Sequence, residues 1–152
     1  MNILITGVPG TGKSEISKAL AKKLKLKVIN DKEFSRKNNL GKEKTIDSSK
    51  EYVVDITKLN NYFKKTFKEK TIYEGHLWGE LSSANLSRFD MVFVIVVSKK
   101  LLIERQKKRG YTDIKIIENV FCQDVKYIQN TLKVKNIPFK IIKANNNLNQ
   151  IH

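Results

Sequence analysis

Cysteine and proline are nearly absent from this chain of 152 residues, which contains Cys122 as its only cysteine and two prolines. A single cysteine cannot form an internal disulfide, and it excludes a zinc site built on several thiolates. No apolar run approaches the roughly 18–20 residues that a membrane-spanning helix needs. The first residues lack a basic segment ahead of an apolar stretch, so no secretory signal is indicated. We therefore expect a soluble, unprocessed protein of a reducing compartment, the cytoplasm.

Negative charge is also scarce, because 15 Asp plus Glu stand against 30 Lys plus Arg and leave a net charge of +15. Most of the lysines are typical of a solvated surface, although so positive a field would also attract a polyanion such as RNA. Arginine suits sites where a planar, bidentate contact to phosphate or carboxylate matters. Only four arginines occur, and each is therefore a candidate for a ligand contact: Arg36, Arg88, Arg105 and Arg109.

Short β-branched segments alternate along the chain with segments of helical spacing. One series of apolar residues at helical spacing comprises Ile114, Ile117, Phe121, Val125, Ile128 and Leu132. This alternation predicts an α/β fold, in which a parallel sheet carries helices on both faces. The polar segment 38–49 is predicted to be a mobile loop, and no linker divides the chain into two domains. The five predicted strands are Asn2–Thr6, Lys27–Asn30, Thr71–Glu74, Met91–Val97 and Phe139–Lys143.

A phosphate-binding motif follows the first predicted strand. Residues 7–14 read Gly-Val-Pro-Gly-Thr-Gly-Lys-Ser and match G-x-x-x-x-G-K-[ST] in full, between a strand and a helix as the motif requires. Its glycines let backbone N–H groups curve around phosphates, Lys13 reaches the β- and γ-phosphates, and the Ser14 hydroxyl binds Mg²⁺. A glycine turn that merely joined strand and helix would need neither side chain. The predicted ATP-binding residues are Gly10, Thr11, Gly12, Lys13 and Ser14.

The class of nucleotide-binding protein depends on what accompanies this motif. The guanine-reading sequence N-K-x-D is absent, and residues 30–33, which read Asn-Asp-Lys-Glu, do not supply it. A guanine-specific switch protein is therefore not indicated. The small size favours instead a kinase-like fold, in which two arginine-bearing flaps close on the two substrates.

Two acids and a histidine are candidates for the metal-binding and reacting end of the site. A carboxylate should end a strand beside the motif and hold Mg²⁺ through water. Glu74 is our candidate and Asp55 its rival, although Asp55 is favoured as the N-cap of the helix that follows it. His76 lies two residues after Glu74, at the ligand-binding edge of the sheet. It either positions water or a partner group, or it is structural.

The arginines suit different parts of such a site. Arg105 and Arg109 lie four residues apart on one predicted helix, just before Gly110. They predict a lid that brings positive charge to the transferring phosphoryl group. Arg36 is predicted to bind the acceptor phosphate. Arg88 either contributes to the acceptor site or pairs with a neighbouring acid.

At these positions the sequence resembles the adenylate kinase-like ATPases of archaea and eukaryotic nuclei, known as the adenylate kinase isoenzyme 6 type. The resemblance runs from Asn2 to about Leu132. The lid sequence Arg-Gly-Tyr and the acid-x-His pair are its selective parts, since many families share the phosphate-binding loop. It rests on residues 5–14, on 51–55 (Glu-Tyr-Val-Val-Asp), on 74–77 (Glu-Gly-His-Leu), and on 104–111 followed by Lys115 and 118–119.

The resemblance implies a three-layer fold of the nucleoside-monophosphate-kinase type over residues 1–152, with a five-stranded parallel sheet. A short AMP flap is expected at about 30–53 and a short lid at about 107–117. The implied reaction is Mg²⁺-dependent phosphoryl transfer from ATP to AMP, giving two ADP, with associated ATP hydrolysis. The implied role is in maturation of the small ribosomal subunit, through a small-subunit ribosomal protein and pre-ribosomal particles, with direct RNA contact left open and no membrane involved.

The resemblance also implies roles for single residues. Glu15 joins the loop residues around the ATP phosphates, and Arg109 touches ATP from the lid. The catalytic set is Lys13, Glu74, His76, Arg105 and Arg109, and the metal set is Ser14 with Glu74 acting through water. The AMP site is assigned to Arg36, with Asp55 and Arg88 as further candidates.

The sequence departs from the family at two positions. Glu74 stands where the family usually has Asp, which leaves metal placement open. Ordinary metabolic adenylate kinases carry an arginine shortly after this acid, whereas Trp78 stands near that position here. Two alternatives therefore stay open. One is a small metabolic kinase for another nucleoside monophosphate or a hydroxyl-bearing acceptor, and the other is an ATP-gated binding module for RNA or a ribosomal protein.

Overall fold

The computed structural model describes residues 1–46 and 48–145. The strands are β1 (Ile3–Thr6), β2 (Lys27–Asn30), β3 (Gly41–Ile46), β4 (Ser49–Val54), β5 (Thr71–Glu74), β6 (Met91–Val96) and β7 (Lys140–Lys143). The helices are α1 (Lys13–Leu24), α2 (Asp31–Lys37), α3 (Ile56–Thr66), α4 (Ser83–Leu86), α5 (Lys99–Lys108), α6 (Asp113–Asp124) and α7 (Tyr127–Val134), with a 3-10 helix at Leu77–Glu80. Within the described ranges, no helix is both long and apolar enough to cross a bilayer.

A five-stranded parallel sheet in the order β2-β5-β1-β6-β7 forms the centre of the molecule. The predicted α/β fold and its five strands are confirmed, with shifts of one residue at the start of β1, the end of β6 and the start of β7. The register pairs Ile5 of β1 with Glu74 of β5, and Glu74 with Asn30 of β2. Because carboxyl ends of parallel strands share one edge, three chain segments meet beside the phosphate-binding motif.

Apolar side chains fill both faces of this sheet and give it three layers. Ile3 and Ile5 pack with Ile16 of α1 on one face, whereas Leu4 joins the larger cluster on the other. All four are at most 3% exposed. The alternation of successive side chains between faces thus explains why an unbroken apolar strand is needed here. Five aromatic side chains pack against one another in and beside the larger cluster: Phe63, Phe67, Tyr73, Trp78 and Phe89.

The prediction of a mobile loop at 38–49 was wrong, because half of that segment is strand β3 and its last residue begins β4. It pairs antiparallel with β4, so that Glu43 lies opposite Tyr52 and Lys44 opposite Glu51. Backbone bonds tie the base of this hairpin to α2 and α3, including one of 2.8 Å from Asp55 N to Leu40 O. Polar residues occupy both faces of β3, so the alternation that reveals a half-buried strand is missing.

The apolar series that begins at Ile114 also folds differently from the expectation. It divides between α6 and α7, which are separated by Lys126 in the left-handed region at φ 57°. In α6 the buried apolar residues are Ile116 and Val120. For α6 the spacing predicted a helix correctly but indicated the wrong buried face, whereas Ile128 and Leu132 of α7 are buried as the spacing indicated. The other residues taken as core are exposed to between 44% and 66%: Ile114, Ile117, Phe121 and Val125.

Candidate active site

The phosphate-binding loop leaves β1 and enters α1 through Gly12, which has φ 91°. A side chain is strained at such a φ, and a Cβ there would lie 3.3 Å from Arg105 Nη1. The N-cap residue Gly12 has no side chain that could cap the first turn of α1. Its leading N–H groups and the positive end of the helix dipole are therefore left for an anion such as a phosphate.

Lys13 is buried inside this loop, where its ammonium donates to Val8 O at 2.9 Å. Burial lowers its pKa to about 8, although the carboxylates Glu74 and Asp31 act in the opposite direction. The Thr11 hydroxyl donates to the same Val8 carbonyl at 3.0 Å and is also buried. Lys13 thus has the place that a phosphate-binding lysine requires, whereas Thr11 folds the loop.

Ser14 and Glu74 form an oxygen-rich pair beside Lys13. The Ser14 hydroxyl donates to Glu74 Oε1 at 3.3 Å, and Asn30 Nδ2 donates to Glu74 Oε2 at 2.6 Å. Glu74 is only 4% exposed. A hydroxyl and a carboxylate suit Mg²⁺, which prefers oxygen ligands and usually takes one or two protein groups together with substrate phosphates. The two residues predicted as the metal set therefore fit that ion.

His76 lies next to a second buried carboxylate, Asp31, which belongs to no motif recognisable in the sequence. His76 Nδ1 is 3.9 Å from Asp31 Oδ2. Burial, with Lys13, Lys32 and Lys115 nearby, lowers the pKa of His76 to about 3, so the imidazole is neutral at physiological pH. Burial also raises the pKa of Asp31. One feature of the sequence could have marked Asp31 as a site residue. It directly follows β2, the strand beside β5, and therefore lies at the same edge of the sheet as Glu74.

Helix α5 contacts the phosphate-binding loop from the lid side. Arg105 Nη1 donates to Gly10 O at 3.5 Å, and Gln106 Nε2 donates to Pro9 O at 2.6 Å. Gln106 is completely buried, and sequence reasoning missed it because a glutamine within a basic helix gives no distinct signal. Arg109 reaches the same cleft as the loop. The two predicted lid arginines thus lie on the loop side of α5.

Among the described residues, one ion pair joins the hairpin β3–β4 to helix α6. Lys115 Nζ of α6 lies 2.5 Å from Glu51 Oε1 of β4, and the same ammonium lies 4.7 Å from the centre of the Tyr111 ring. Both charged side chains are about one quarter exposed, at 29% and 25%. The partly open cleft has a volume of about 150 Å³ and is lined by the loop, the start of α2, the segment after β5, Arg109 and Tyr111.

Residues 3–126 match the protein family described as "AAA domain". A "putative adenylate kinase" of Thermococcus kodakarensis is 35% identical over 129 residues, covering 84% of this chain and 67% of that protein. The chain belongs to the adenylate kinase-like P-loop family. An "adenylate kinase isoenzyme 6 homolog" of Caenorhabditis elegans is 34% identical over 128 residues, covering 80% and 66%. The chain thus spans about two thirds of the length of these relatives.

Solved structures share the fold at lower identity. Shikimate kinase from Acinetobacter baumannii, in complex with shikimate, superposes with a TM-score of 0.62 at 16% identity, over 98% of this chain and 86% of that one. Deoxyadenosine kinase from M. mycoides, with bound dATP, gives 0.58 at 19% identity, over 99% and 95%. These similarities confirm the P-loop kinase fold predicted from the sequence.

In this adenylate kinase-like chain, two of the predicted AMP-site residues lie around the flap hairpin. Arg36 Nη2 is 3.7 Å from Glu43 Oε1, and its guanidinium carbon lies 5.3 Å from the centre of the Tyr52 ring. Asp55 caps α3, with Oδ1 accepting from Lys58 N at 3.1 Å. The N-cap interpretation of Asp55 is therefore confirmed, and Asp55 does not line the cleft around the phosphate-binding loop.

Arg88 is not brought to the site of this adenylate kinase-like chain. It precedes β6 at the amino edge of the sheet, opposite the phosphate-binding loop, where its carbonyl accepts from Asn2 Nδ2 at 3.5 Å. Its guanidinium donates to Lys64 O at 3.2 Å and lies 4.6 Å from the centre of the Phe67 ring. Its assignment to the AMP site was wrong, because Arg88 covers the aromatic core instead.

Proposed function

We propose that the chain transfers the γ-phosphoryl group of ATP to AMP, giving two ADP, with ATP hydrolysis as a side activity. The observation that carries this proposal is the convergence of buried Lys13 with the Ser14–Glu74 pair at the start of α1. Such an arrangement suits positioning and charge neutralisation of a phosphoryl group, which is most of what phosphoryl-transfer catalysis requires. The names of the curated relatives support AMP as the acceptor.

Each element of the site would then contribute separately. Lys13 and the free N–H groups of α1 hold the β- and γ-phosphates, and Arg109 adds charge from the lid. Mg²⁺, held by Ser14 and through water by Glu74, would neutralise charge on the phosphates when bound. Closure of α5 and α6 towards the hairpin excludes water.

His76 would orient the attacking group. A neutral imidazole accepts a hydrogen bond on one nitrogen and donates on the other, so it can orient water or an acceptor group without adding charge. Where closure around the acceptor is loose, water takes the acceptor's place. ATP hydrolysis without AMP then follows from the same geometry.

The proposed acceptor contact is Arg36, the one arginine on α2 beside the flap hairpin β3–β4. Its ion pair with Glu43 is exposed, and an exposed ion pair is worth little, so a phosphate can displace Glu43 from Arg36. Trp78, near the position where metabolic adenylate kinases carry an arginine, is buried and donates to Glu74 O at 3.0 Å. Recognition of AMP is therefore assigned to the flap alone.

A hydroxyl-bearing acceptor is the second candidate, and the buried Trp78 favours it, because Trp78 stands near the position where metabolic adenylate kinases carry an arginine for the acceptor phosphate. Kinases of such acceptors share the fold, as shikimate kinase shows. The deciding experiment is a panel of acceptors incubated with γ-labelled ATP. We expect label in ADP when AMP is supplied. Clear preference for a non-adenine acceptor would replace the proposal.

We also propose that the enzyme acts in the cytoplasm in late maturation of the small ribosomal subunit, with a small-subunit ribosomal protein as partner. The similarity to an isoenzyme 6 homologue and the net charge of +15 support this role. Co-sedimentation with small-subunit particles from lysate should be present at low salt and lost as salt rises. No association at low salt would contradict it.

A further inference from the structure

Asp31 is a buried acid that the proposed mechanism has not used. It is 2% exposed, and both of its oxygens accept backbone hydrogen bonds, as an ionised carboxylate does. Oδ1 accepts from Lys32 N at 2.7 Å, within the first turn of α2. Oδ2 accepts from Leu77 N at 2.8 Å, 46 residues away along the chain. The second bond ties the start of α2 to the segment that carries His76.

The backbone of this segment is shaped around the same carboxylate. Gly75 has φ 140°, and a Cβ on it would lie 2.1 Å from the carboxyl carbon of Asp31. Any side chain at residue 75 would therefore occupy the space of Asp31. The carboxylate thus contacts residues 75 to 77 at three successive places: against Gly75, near His76 and on Leu77 N.

We infer that Asp31 is a positioning residue, which fixes the Gly75–Leu77 backbone and favours the His76 tautomer that carries its proton on Nδ1. This inference rests on the proposed role of His76 in orienting the attacking group. Asp31 itself need not touch a substrate.

The preference for this tautomer follows from electrostatics. His76 Nδ1 faces Asp31 Oδ2 across 3.9 Å, too far for a hydrogen bond but close enough for a carboxylate to favour an N–H over a lone pair. With the proton on Nδ1, the lone pair stands on Nε2, the other ring nitrogen. His76 can then accept a hydrogen bond from water or an acceptor group at Nε2.

The variant that removes the charge is Asp31→Asn, which retains the size of the side chain. Its matched control is Glu33→Gln, because Glu33 is the other acid in the first turn of α2 and is exposed. We expect kcat for ATP hydrolysis to fall about 10-fold or more in Asp31→Asn, the size typical of lost supporting contacts, with KM for ATP within about twofold. The control should change neither value.

A double-mutant cycle with His76→Ala tests whether Asp31 acts through His76. Once the imidazole is gone, Asp31→Asn should cost little further activity. An equal loss of kcat in both backgrounds would overturn the inference, because Asp31 would then act independently of His76.

The tautomer can be read directly by ¹⁵N NMR of the imidazole at pH 7.5. The sequence has two histidines, so His152→Gln leaves His76 as the only one. We expect the spectrum of a neutral ring protonated at Nδ1, and a shift towards the Nε2-protonated form in Asp31→Asn. A ring protonated at Nε2 with Asp31 intact would overturn the inference, even if the Asp31 variant does not fold. Failure to phosphorylate AMP would instead count against the proposed function and leave the NMR result unaffected.

Discussion

The floor and the rim of the cleft differ in how firmly they are held. The floor comprises the phosphate-binding loop, Glu74 and Asp31, whose buried side chains are fixed by hydrogen bonds from three neighbouring strand ends. The rim comprises the hairpin β3–β4 and helix α6, joined by the partly exposed pair Glu51–Lys115. The floor fixes the chemistry of phosphoryl transfer, whereas the rim is free to vary with the acceptor.

A substitution in the floor of the cleft should reduce activity more than any substitution in the rim. Replacing Lys13 by alanine removes the buried ammonium that the phosphates need, and we expect kcat/KM for ATP to fall about 1,000-fold. Lys18→Ala is the matched control, since Lys18 is an exposed lysine of the same helix. Steady-state ATP turnover gives kcat/KM for both variants. Activity in Lys13→Ala close to that of Lys18→Ala would refute the assignment of the floor.

Substitution of Glu74 should cause the second-largest loss of activity. Glu74→Gln keeps the shape and loses the charge next to Ser14, so we expect about a 100-fold fall in kcat and a higher Mg²⁺ requirement. Glu74→Asp, which restores the acid usual in the family, should lose less. Rates measured against Mg²⁺ concentration compare the two variants. Equal losses in both would mean that length rather than charge matters at this position.

Two arginines test where the acceptor binds. Arg36→Ala removes the flap guanidinium, and we expect KM for AMP to rise about 10-fold with KM for ATP unchanged. Arg88→Ala should leave both values within about twofold and reduce the free energy of unfolding by roughly 1 kcal/mol, because the Phe67 contact is lost. Initial rates and thermal melts measure these effects. A rise in KM for AMP in Arg88→Ala but not in Arg36→Ala would instead indicate that the acceptor binds at the amino edge of the sheet.

The pH dependence of ATP binding reports on Lys13. Burial lowers its pKa to about 8 in the free chain, and bound phosphates favour the charged form. Above pH 8 the free lysine loses its proton, so ATP binding must take one up. We expect KM for ATP to rise severalfold between about pH 8 and 9.5. Lys13→Arg, whose guanidinium stays charged, should show a flat profile of ATP affinity over that range, and a flat profile in the unaltered chain would contradict the account.

Breaking the Glu51–Lys115 pair in the rim should change the kinetic constants least. Glu51→Gln or Lys115→Met breaks the ion pair between the hairpin and α6, and we expect KM for AMP to rise about two- to threefold. The double variant should cost no more than either single one. Lys99→Met is the control, because Lys99 and Asp124 form an exposed pair on α5 and α6. Additive effects of the two cleft substitutions would mean that the pair does not couple flap and lid.

The sequence predicted the floor better than the rim for a physical reason. A phosphate-binding loop needs particular residue types at fixed spacing, and buried parallel strands need unbroken apolar runs, so both leave strong patterns. Strand β3 is polar on both faces, so its sequence shows no pattern that predicts a strand. Asp31 was missed because its partners, Gly75 to Leu77, lie more than 40 residues away. The buried face of α6 depends on its packing against α5 and α7, which spacing alone does not determine.

The most direct test of the central claim is a ³¹P NMR time course of ATP with Mg²⁺ and the protein, recorded with and without AMP. The account predicts that AMP disappears in step with ATP, that two ADP appear for each AMP consumed, and that inorganic phosphate forms more slowly. Loss of ATP to inorganic phosphate at the same rate with or without AMP, while the AMP signal stays constant, would contradict it.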